Sequence, residues 1–570
     1  MNNHFLPVNK NELAARGWKN CDIIIISGDA YIDHPAFGAP LIARYLESLG
    51  YRVGLIAQPD WNSNEDFLKL GIPELFVGIT AGNIDSMLAH YTANKKLRSN
   101  DAYTPGNTHG KRPDRATIVY TNKIRQLMPG IPIVIGGLEA SMRRLSHYDY
   151  WSDKLRRSIL LDSKADILAY GMAEKALEEI ALRIKSKLPL DNIRGTVITK
   201  GEKGFHPTEF PEAVNLPTFE ELKANKDIFL DMTRQIEQNL NPFNASTLIQ
   251  KSGTQYVIVN PPAFSLSTEE LDYLYKLPFT RLPHPSYKDK IPAYEMIKDS
   301  ITILRGCPGA CTFCSIGLHQ GKFIQSRSQS SIINEIKALI HTDSFKGVLS
   351  DLGGPSANLY QMGCKNKKAL LSCTRPSCLY PEVCTNFNTN HTALISLMKN
   401  TRKLTGIKKI HISSGLRHDV AIKSTEYIKE LACFHTPGHL KLAPEHFEES
   451  VLKRMRKPHR RVYEEFSDHF NKISRKEGKK QYILPYLITS FPGCTQKDMA
   501  TVAHYLKKNQ IKVEQVQDFI PLPMTIATAM YYTEKDYFNN EKIFVAKKHN
   551  ERKAQKSKIF WNKEERKPRC

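Results

Sequence analysis

Cys307, Cys311 and Cys314 stand in the run RGCPGACTFCSIG, with three and then two residues between them. That spacing lets one loop wrap three thiolates around a single centre, and Gly306 and Gly309 supply the backbone freedom such a loop needs. The count of three is informative. A structural zinc site takes four ligands, and so does an ordinary iron–sulfur cube. Three thiolates would leave one iron of a 4Fe-4S cluster open to an outside ligand. Two other readings compete with this one: a zinc ion completed by a distant histidine such as His319, and a chance grouping of buried thiols.

Seven of the eleven cysteines lie between Cys307 and Cys384, while Cys21, Cys433, Cys494 and Cys570 stand alone. In a reducing compartment such a cluster points to metal more than to disulfides. The other four of the seven are Cys364, Cys373, Cys378 and Cys384, separated by eight, four and five residues in a polar, basic stretch. Four thiols are a full ligand set. An auxiliary iron–sulfur cluster, a structural zinc and a surface insertion with spare thiols all fit that pattern.

The elements that must position these groups alternate in type. Strand-like runs at Lys346–Asp351, Lys409–Ser413, His439–Leu442, Tyr482–Ile488 and Val513–Ile520 are separated by amphipathic stretches such as Ser330–His341 and Tyr463–Arg475. Each run leads into Gly, Ser, Pro or charged residues, as the strand C-termini of a parallel barrel do. Counting from Ile301, six strands are expected. In the first half, Asp22–Trp61 reads as buried strand, glycine-containing loop, helix and second strand, with further strands at Leu75–Ile79 and Ile133–Ile135. That succession predicts an α/β chain with a doubly wound, Rossmann-like parallel sheet followed by a partial (β/α)6 barrel. The expected division is 1–285 for the N-terminal domain with extensions and 286–535 for the barrel. The barrel carries a Cys-rich insertion over 362–386, and 536–570 form a basic tail.

The CxxxCxxC run, with Phe313 just before its last cysteine, resembles the signature of the radical S-adenosylmethionine superfamily. The resemblance implies a 4Fe-4S cluster ligated by Cys307, Cys311 and Cys314. It also implies chelation of S-adenosylmethionine by the open iron and its reductive cleavage to a 5′-deoxyadenosyl radical. Phe313 would lie near the adenine. Gly353 and Gly354 match the glycine-rich motif that holds the methionine amino group. Pro355 replaces that motif's acidic residue, so the contact is expected from backbone or from Asp351. Ser413, Arg417 and Glu445 fall where the family binds ribose and carboxylate, though each also reads as a capping or salt-bridging residue. An electron donor such as flavodoxin or ferredoxin is implied as partner. Longer runs, among them SGDAYIDHPAFG, GGLEASMRR, HYDYWSDKLRRS, SDLGGPSAN, SFPGCT and QDFIPLPMT, are similar to the UPF0313 (YgiQ-type) group over about Asp22 to Thr533. That group implies a fold and a cofactor but no settled substrate.

A Rossmann-like domain ahead of such a barrel also resembles the cobalamin-binding layout of many radical enzymes. The cobalt-ligating pattern there is Asp-x-His-x-x-Gly. Here the loop reads Asp33-His34-Pro35-Ala36-Phe37-Gly38, with the histidine out of place. His34 is therefore read as a loop residue bonded to backbone, and a cobalamin held without a protein ligand stays open.

At 570 residues the length favours two or three domains, and 41% hydrophobic with 24% charged residues are ordinary globular values. Collagen-like and mostly disordered chains are excluded. No apolar run reaches the ~18–20 residues of a membrane span. The start, MNNHFLPVNK, lacks a basic n-region and apolar h-region, so a cytoplasmic protein is expected. The net charge of +23 suits an RNA or ribonucleoprotein substrate, or equally a surface of solvated lysines. The leading expectation is a radical S-adenosylmethionine enzyme of unknown substrate. The alternative is a non-catalytic, zinc-binding, RNA-associated protein.

Overall fold

The computed structural model describes residues 5–511 and 513–560, with only the backbone of Gln515. The last ten residues of the expected basic tail, Cys570 among them, lie outside the described residues. Two compact units divide the chain. One runs to Lys298 and takes in Leu318–Gln320; the other holds Asp299–Gly317 and the described residues from Gly321 on.

The first unit is built on a nine-stranded sheet. Its strands are β1 (Ile23–Ser27), β2 (Val53–Ala57), β3 (Phe76–Thr80), β4 (Ile133–Gly136), β5 (Ile167–Ala169), β6 (Thr196–Gly201), β7 (Val214–Asn215), β8 (Leu248–Ser252) and β9 (Gln255–Val259), in the order β2-β1-β3-β4-β5-β6-β9-β8-β7. The first five are parallel, with Ile23 paired to both Val53 and Phe76, and Val77 to Ile133. This 2-1-3-4-5 order is that of a doubly wound sheet. Its central strands are buried on both faces, which is why β1 is an unbroken apolar run rather than an alternating one. Helix Gly38–Ser48 covers one face with Ala39, Ala43 and Leu46. Strands β6, β8 and β9 extend the sheet in antiparallel fashion. The sequence reading did not include them. A usable signal was present: two strand-like runs flank the pair Gly253-Thr254, and Gly253 takes the positive φ of a two-residue hairpin turn.

In the second unit, β10 (Ser300–Thr302) runs parallel to β12 (Asp351–Gly353), and β11 (Val348–Leu349) runs parallel to β13 (Lys409–Ile410). Leu352 N–H donates to His411 O at 3.2 Å, and Leu416 forms a parallel bridge to Leu442 in β14 (His439–Glu445). Strand β14 continues in parallel to β15 (Tyr482–Thr489) and β16 (Gln515–Asp518). With β11 and β12 taken as one strand interrupted at Ser350, neighbouring strands follow chain order with a helix in each connection, as a partial (β/α)6 barrel requires. Arg460–Lys476 shows how those helices are held: Tyr463, Phe466 and Phe470 recur at helical spacing and are buried, while the other face stays charged.

Within the region read as a basic tail, helix His549–Ile559 is docked. Arg552, Gln555 and Ile559 are buried on one face, and Gln555 both accepts from Ser490 N–H at 2.8 Å and donates to Cys494 O at 2.7 Å. Arg552 donates to Phe519 O, and Lys556 pairs with Asp518 at 3.3 Å, so two of the helix's cations are engaged internally. No helix among the described residues is long and apolar enough to cross a membrane.

Burial leaves several imidazoles neutral. It pushes His147, His319, His391 and His446 down to about 4 and His418 to about 3. A depressed folded-state value contributes stability that is fully present above the unfolded value near 6.5 and is lost as pH falls toward the folded value. Each imidazole then weakens folding by up to ~1.4 kcal/mol per pH unit. The melting temperature is expected to drop steeply between pH 6.5 and 4. A flat profile across that window would show that these rings titrate freely.

Candidate active site

The three-cysteine loop leaves the barrel after Arg305 through Gly306, whose φ of +83° suits glycine; a Cβ there would stand 2.1 Å from Phe323 O. Ala310 also takes a positive φ, of 47°, an uncommon conformation for a residue with a Cβ. Backbone bonds fasten the loop on several sides. Cys307 N–H donates to Gly321 O at 3.1 Å, Thr312 N–H to Met455 O at 3.2 Å, and Thr312 Oγ1 to Arg454 O at 2.8 Å. Ala527 N–H in turn donates to Thr312 O at 2.9 Å.

All three cysteines are half-buried free thiols. Burial pushes Cys307 up, and nearby Cys311 adds to this, while Arg417 opposes it. Burial, followed by the proximity of Cys311, raises Cys314 to about 12. The sulfurs therefore lie within electrostatic reach of one another. Among the described residues, no three Cys, His, Asp or Glu side chains already stand at metal-ligand spacing.

Arg417 is directed at this loop. Its Nη1 lies 3.6 Å from Cys311 Sγ, in space that a Cβ on Gly309 would invade at 2.7 Å. Its Nε and Nη2 bind the two carboxylate oxygens of Asp419 at 2.9 and 2.5 Å. Burial disfavours the guanidinium charge, but the Asp419 carboxylate more than offsets this and holds Arg417 protonated. Asn358, fully buried, fixes the Arg417 backbone by accepting from its N–H at 2.7 Å and donating to its carbonyl at 2.9 Å. Ser356 Oγ lies 3.7 Å from Cys307 Sγ. Sequence reasoning missed Ser356, Asn358 and Asp419, although the first two lie one and three residues past the Gly-Gly-Pro run and the third stands two residues past Arg417.

Asp351 acts as a staple between strand ends. Its Oδ1 accepts from Ser413 N–H at 2.8 Å and Ser414 N–H at 3.0 Å, and its Oδ2 accepts from Ser414 Oγ. Ser413 Oγ donates to Ser350 O at 2.8 Å, so both groups expected near a ligand also hold the 413–417 turn. Gly353 and Gly354 are needed sterically: a Cβ on the first would meet Ser414 Oγ at 2.6 Å, and on the second Leu304 O at 2.7 Å. Phe313 packs edge-on to the buried Phe491, with ring centroids 6.3 Å apart. Glu445, at the C-terminal end of β14, has a φ of 69° and follows a register shift in the strand. Burial pushes its carboxyl up, Lys457 opposes this from 3.8 Å, and Cys314 is near enough to feel its charge. His319 belongs to the first unit, where its Nδ1 lies 3.1 Å from Ser141 Oγ.

At the C-terminal ends of the first unit's strands, where doubly wound sheets bind ligands, the chain meets itself. Arg112 is fully buried between Asp29 and Asp101, 3.0 Å from each, and donates to Ala81 O at 2.7 Å. A Cβ on Gly82 would stand 2.1 Å from Asp29 Oδ1, and one on Gly28 would stand 2.3 Å from Ala81 O. Asp33 is bound to Arg44 at 2.7 Å, and His34 is buried with Nδ1 accepting from Ala36 N–H at 3.0 Å. His34 is thus the backbone-bonded loop residue expected from its spacing.

Comparison with known proteins agrees with this architecture. The family described as "Radical SAM N-terminal" matches residues 5–300, and a domain of unknown function matches residues 514–568. The chain is 44% identical to the UPF0313 protein YgiQ of Escherichia coli (strain K12), over 98% of this chain and 84% of that protein. It is 45% identical to the UPF0313 protein VP1980 of Vibrio parahaemolyticus, over 98% of this chain and 79% of that one. Among solved structures it is similar to the radical S-adenosylmethionine methyltransferase TsrM of Kitasatospora setae, solved with cobalamin and a [4Fe-4S] cluster bound. The TM-score is 0.50 at 13% identity, covering 87% of this chain and 74% of TsrM. At that identity the likeness is one of fold.

Proposed function

Since the chain belongs to the UPF0313 family of radical S-adenosylmethionine enzymes, we propose that it holds a 4Fe-4S cluster on Cys307, Cys311 and Cys314 and uses it to cleave S-adenosylmethionine reductively. The observation that carries this reading is the loop itself: three thiols, not four, gathered on one fastened turn beside a buried guanidinium. The donor set fits the group. Thiolates suit iron, the count leaves one position for an outside ligand, and Arg417 offsets part of the negative charge that three bound thiolates bring together. When bound, the cluster supplies the electron that splits the sulfonium and releases a 5′-deoxyadenosyl radical able to abstract hydrogen from a substrate.

The chain's own residues position and shield. Gly353 and Gly354 bring backbone close to the methionine end of S-adenosylmethionine, with Asp351 holding the 413–417 turn that borders it. Phe313, braced by Phe491, offers a flat apolar surface to the adenine. Ser413, just past the strand end, and Glu445, paired with Lys457 and within electrostatic reach of Cys314, face the ribose and carboxylate. The electron comes from a one-electron donor of the flavodoxin or ferredoxin class. In the first unit the Asp29–Arg112–Asp101 group stands at the strand ends, and His34 Nδ1 is engaged by the Ala36 N–H, so His34 is not placed as a cobalt ligand by the Asp-x-His-x-x-Gly spacing.

The deciding experiment is anaerobic reconstitution with iron and sulfide, chemical reduction, and assay for 5′-deoxyadenosine. Its formation is expected; zinc-loaded, iron-free protein that yields none would replace this reading with a zinc-binding, non-catalytic one. Asp351→Ala is expected to raise KM for S-adenosylmethionine about tenfold, because charge-assisted bonds worth ~1.5–3 kcal/mol each no longer hold the bordering turn. An unchanged KM would separate that staple from the binding site.

A further inference from the structure

Residues 363–386 form an ordered insertion with almost no core, since only Ser377 and Leu379 within it are buried. Segments that cannot bury apolar surface need another cross-link, such as disulfides or a metal. Here none of the four cysteines is disulfide-bonded, so disulfides do not supply it.

The backbone nevertheless folds the segment back on itself. Its neck is closed by an antiparallel bridge between Cys364 and Phe387, with Lys365 N–H donating to Asn386 O at 2.7 Å and Asn388 N–H to Gly363 O at 2.8 Å. Cys384 N–H donates to Cys378 O at 2.8 Å, which brings the third and fourth cysteines together. Cys373 ends the helix Lys367–Ser372, and Arg375 gathers the carbonyls of Ser377, Tyr380 and Glu382. The result brings Cys373, Cys384 and Cys364 within electrostatic reach of Cys378, with Lys322 beside them.

The insertion is also fastened to the radical loop. Cys378 N–H donates to Pro308 O at 3.0 Å, and Ser377 Oγ lies 3.2 Å from Pro308 O and 2.9 Å from Gly309 O. Lys322, nearly buried, donates to Arg375 O at 3.1 Å and places a cation beside the thiols. The Cys378 and Ser377 contacts fall on the turn between Cys307 and Cys311.

We propose that Cys364, Cys373, Cys378 and Cys384 form a second metal centre, ligated by four thiolates and seated directly on the three-cysteine loop. The shared chemistry is tetrathiolate coordination of iron–sulfur or zinc, with Lys322 offsetting part of its negative charge. The centre closes an insertion that has no core to close it, and it stiffens the turn carrying Cys307 and Cys311.

The test uses the full chain, expressed with iron and zinc available and handled without oxygen. In a variant with Cys307, Cys311 and Cys314 all replaced by Ala, the first site cannot bind. That variant is expected to retain either about four irons with about four sulfides per chain, or about one zinc ion. X-ray absorption at the iron or zinc edge is expected to show a sulfur-only ligand shell, and comparing the two edges tells cluster from zinc. Replacing Cys364, Cys373, Cys378 and Cys384 by Ala is expected to remove that same increment from the wild-type content. A triple variant without metal, or one whose metal has nitrogen or oxygen neighbours, overturns the proposal. The two readings fail separately: wild type that makes no 5′-deoxyadenosine counts against the radical chemistry, while an empty triple variant counts only against the second centre.

Discussion

Cys311→Ala is expected to abolish 5′-deoxyadenosine formation while leaving the far-ultraviolet circular dichroism and the melting temperature close to those of the parent. The thiol is half-buried and its loop is held by backbone bonds at Cys307, Thr312 and Cys314, none of which uses the Cys311 side chain. The lost contact is Arg417 Nη1 at 3.6 Å, and that guanidinium keeps its pair with Asp419. Two thiolates do not hold a cubane whose ordinary set is four, so turnover should fall to background, since the cofactor carries the chemistry. Cys433→Ala, at an isolated position away from both cysteine groups, is the matching control and is expected to keep full turnover. Anaerobic assay of both proteins after reconstitution, with iron content measured in parallel, checks the expectation. Undiminished product from the Cys311 variant would remove the cysteine loop from the mechanism.

Arg112→Met is expected to destabilise the first unit by about 3–5 kcal/mol at pH 8. The side chain is fully buried and is the shared partner of two buried carboxylates, Asp29 and Asp101, while its remaining nitrogen serves Ala81 O. Methionine fills much of the volume but leaves both carboxylates uncompensated. Burial already pushes Asp29 up to about 6 despite Arg112. An acid whose folded value is raised contributes stability that is present below its unfolded value near 3.8 and is lost as pH rises through the folded value. Without the guanidinium that rise is steeper, so the deficit should be smaller at pH 5 than at pH 8. Denaturant unfolding of parent and variant at the two pH values measures it. A difference below about 1 kcal/mol at pH 8 would mean that water, not Arg112, satisfies the pair.

The cysteine chemistry was legible in the chain because its ligands are neighbours in sequence. Three thiols within eight residues and four more within about twenty need no tertiary fold to declare themselves. The strands at 346–351, 409–413, 439–442 and 482–488 were legible for a related reason, since periodicity and flanking turn residues are local. The hairpin at Gly253-Thr254 carried the same kind of signal and was overlooked, so the antiparallel half of the first sheet was missing from the expectation.

Partner choice among distant side chains was a different matter. Asp351 could be named as a polar group near the glycine motif, but that its two oxygens staple Ser413 and Ser414, more than sixty positions on, follows only from adjacent strand ends in the barrel. Arg417 could be named as a cation, but its direction toward Cys311 depends on Asn358 and Asp419 fixing it. The closing of the doubly wound crest by Arg112 joins the loops after two different strands, β1 and β3. Sequence by itself determined which groups could bind a metal and which segments could become strands, because both depend on residue type and short-range spacing. Tertiary structure alone decided which charges meet, since a buried ion pair forms wherever the packed backbone brings two groups within about 3 Å, at whatever separation along the chain.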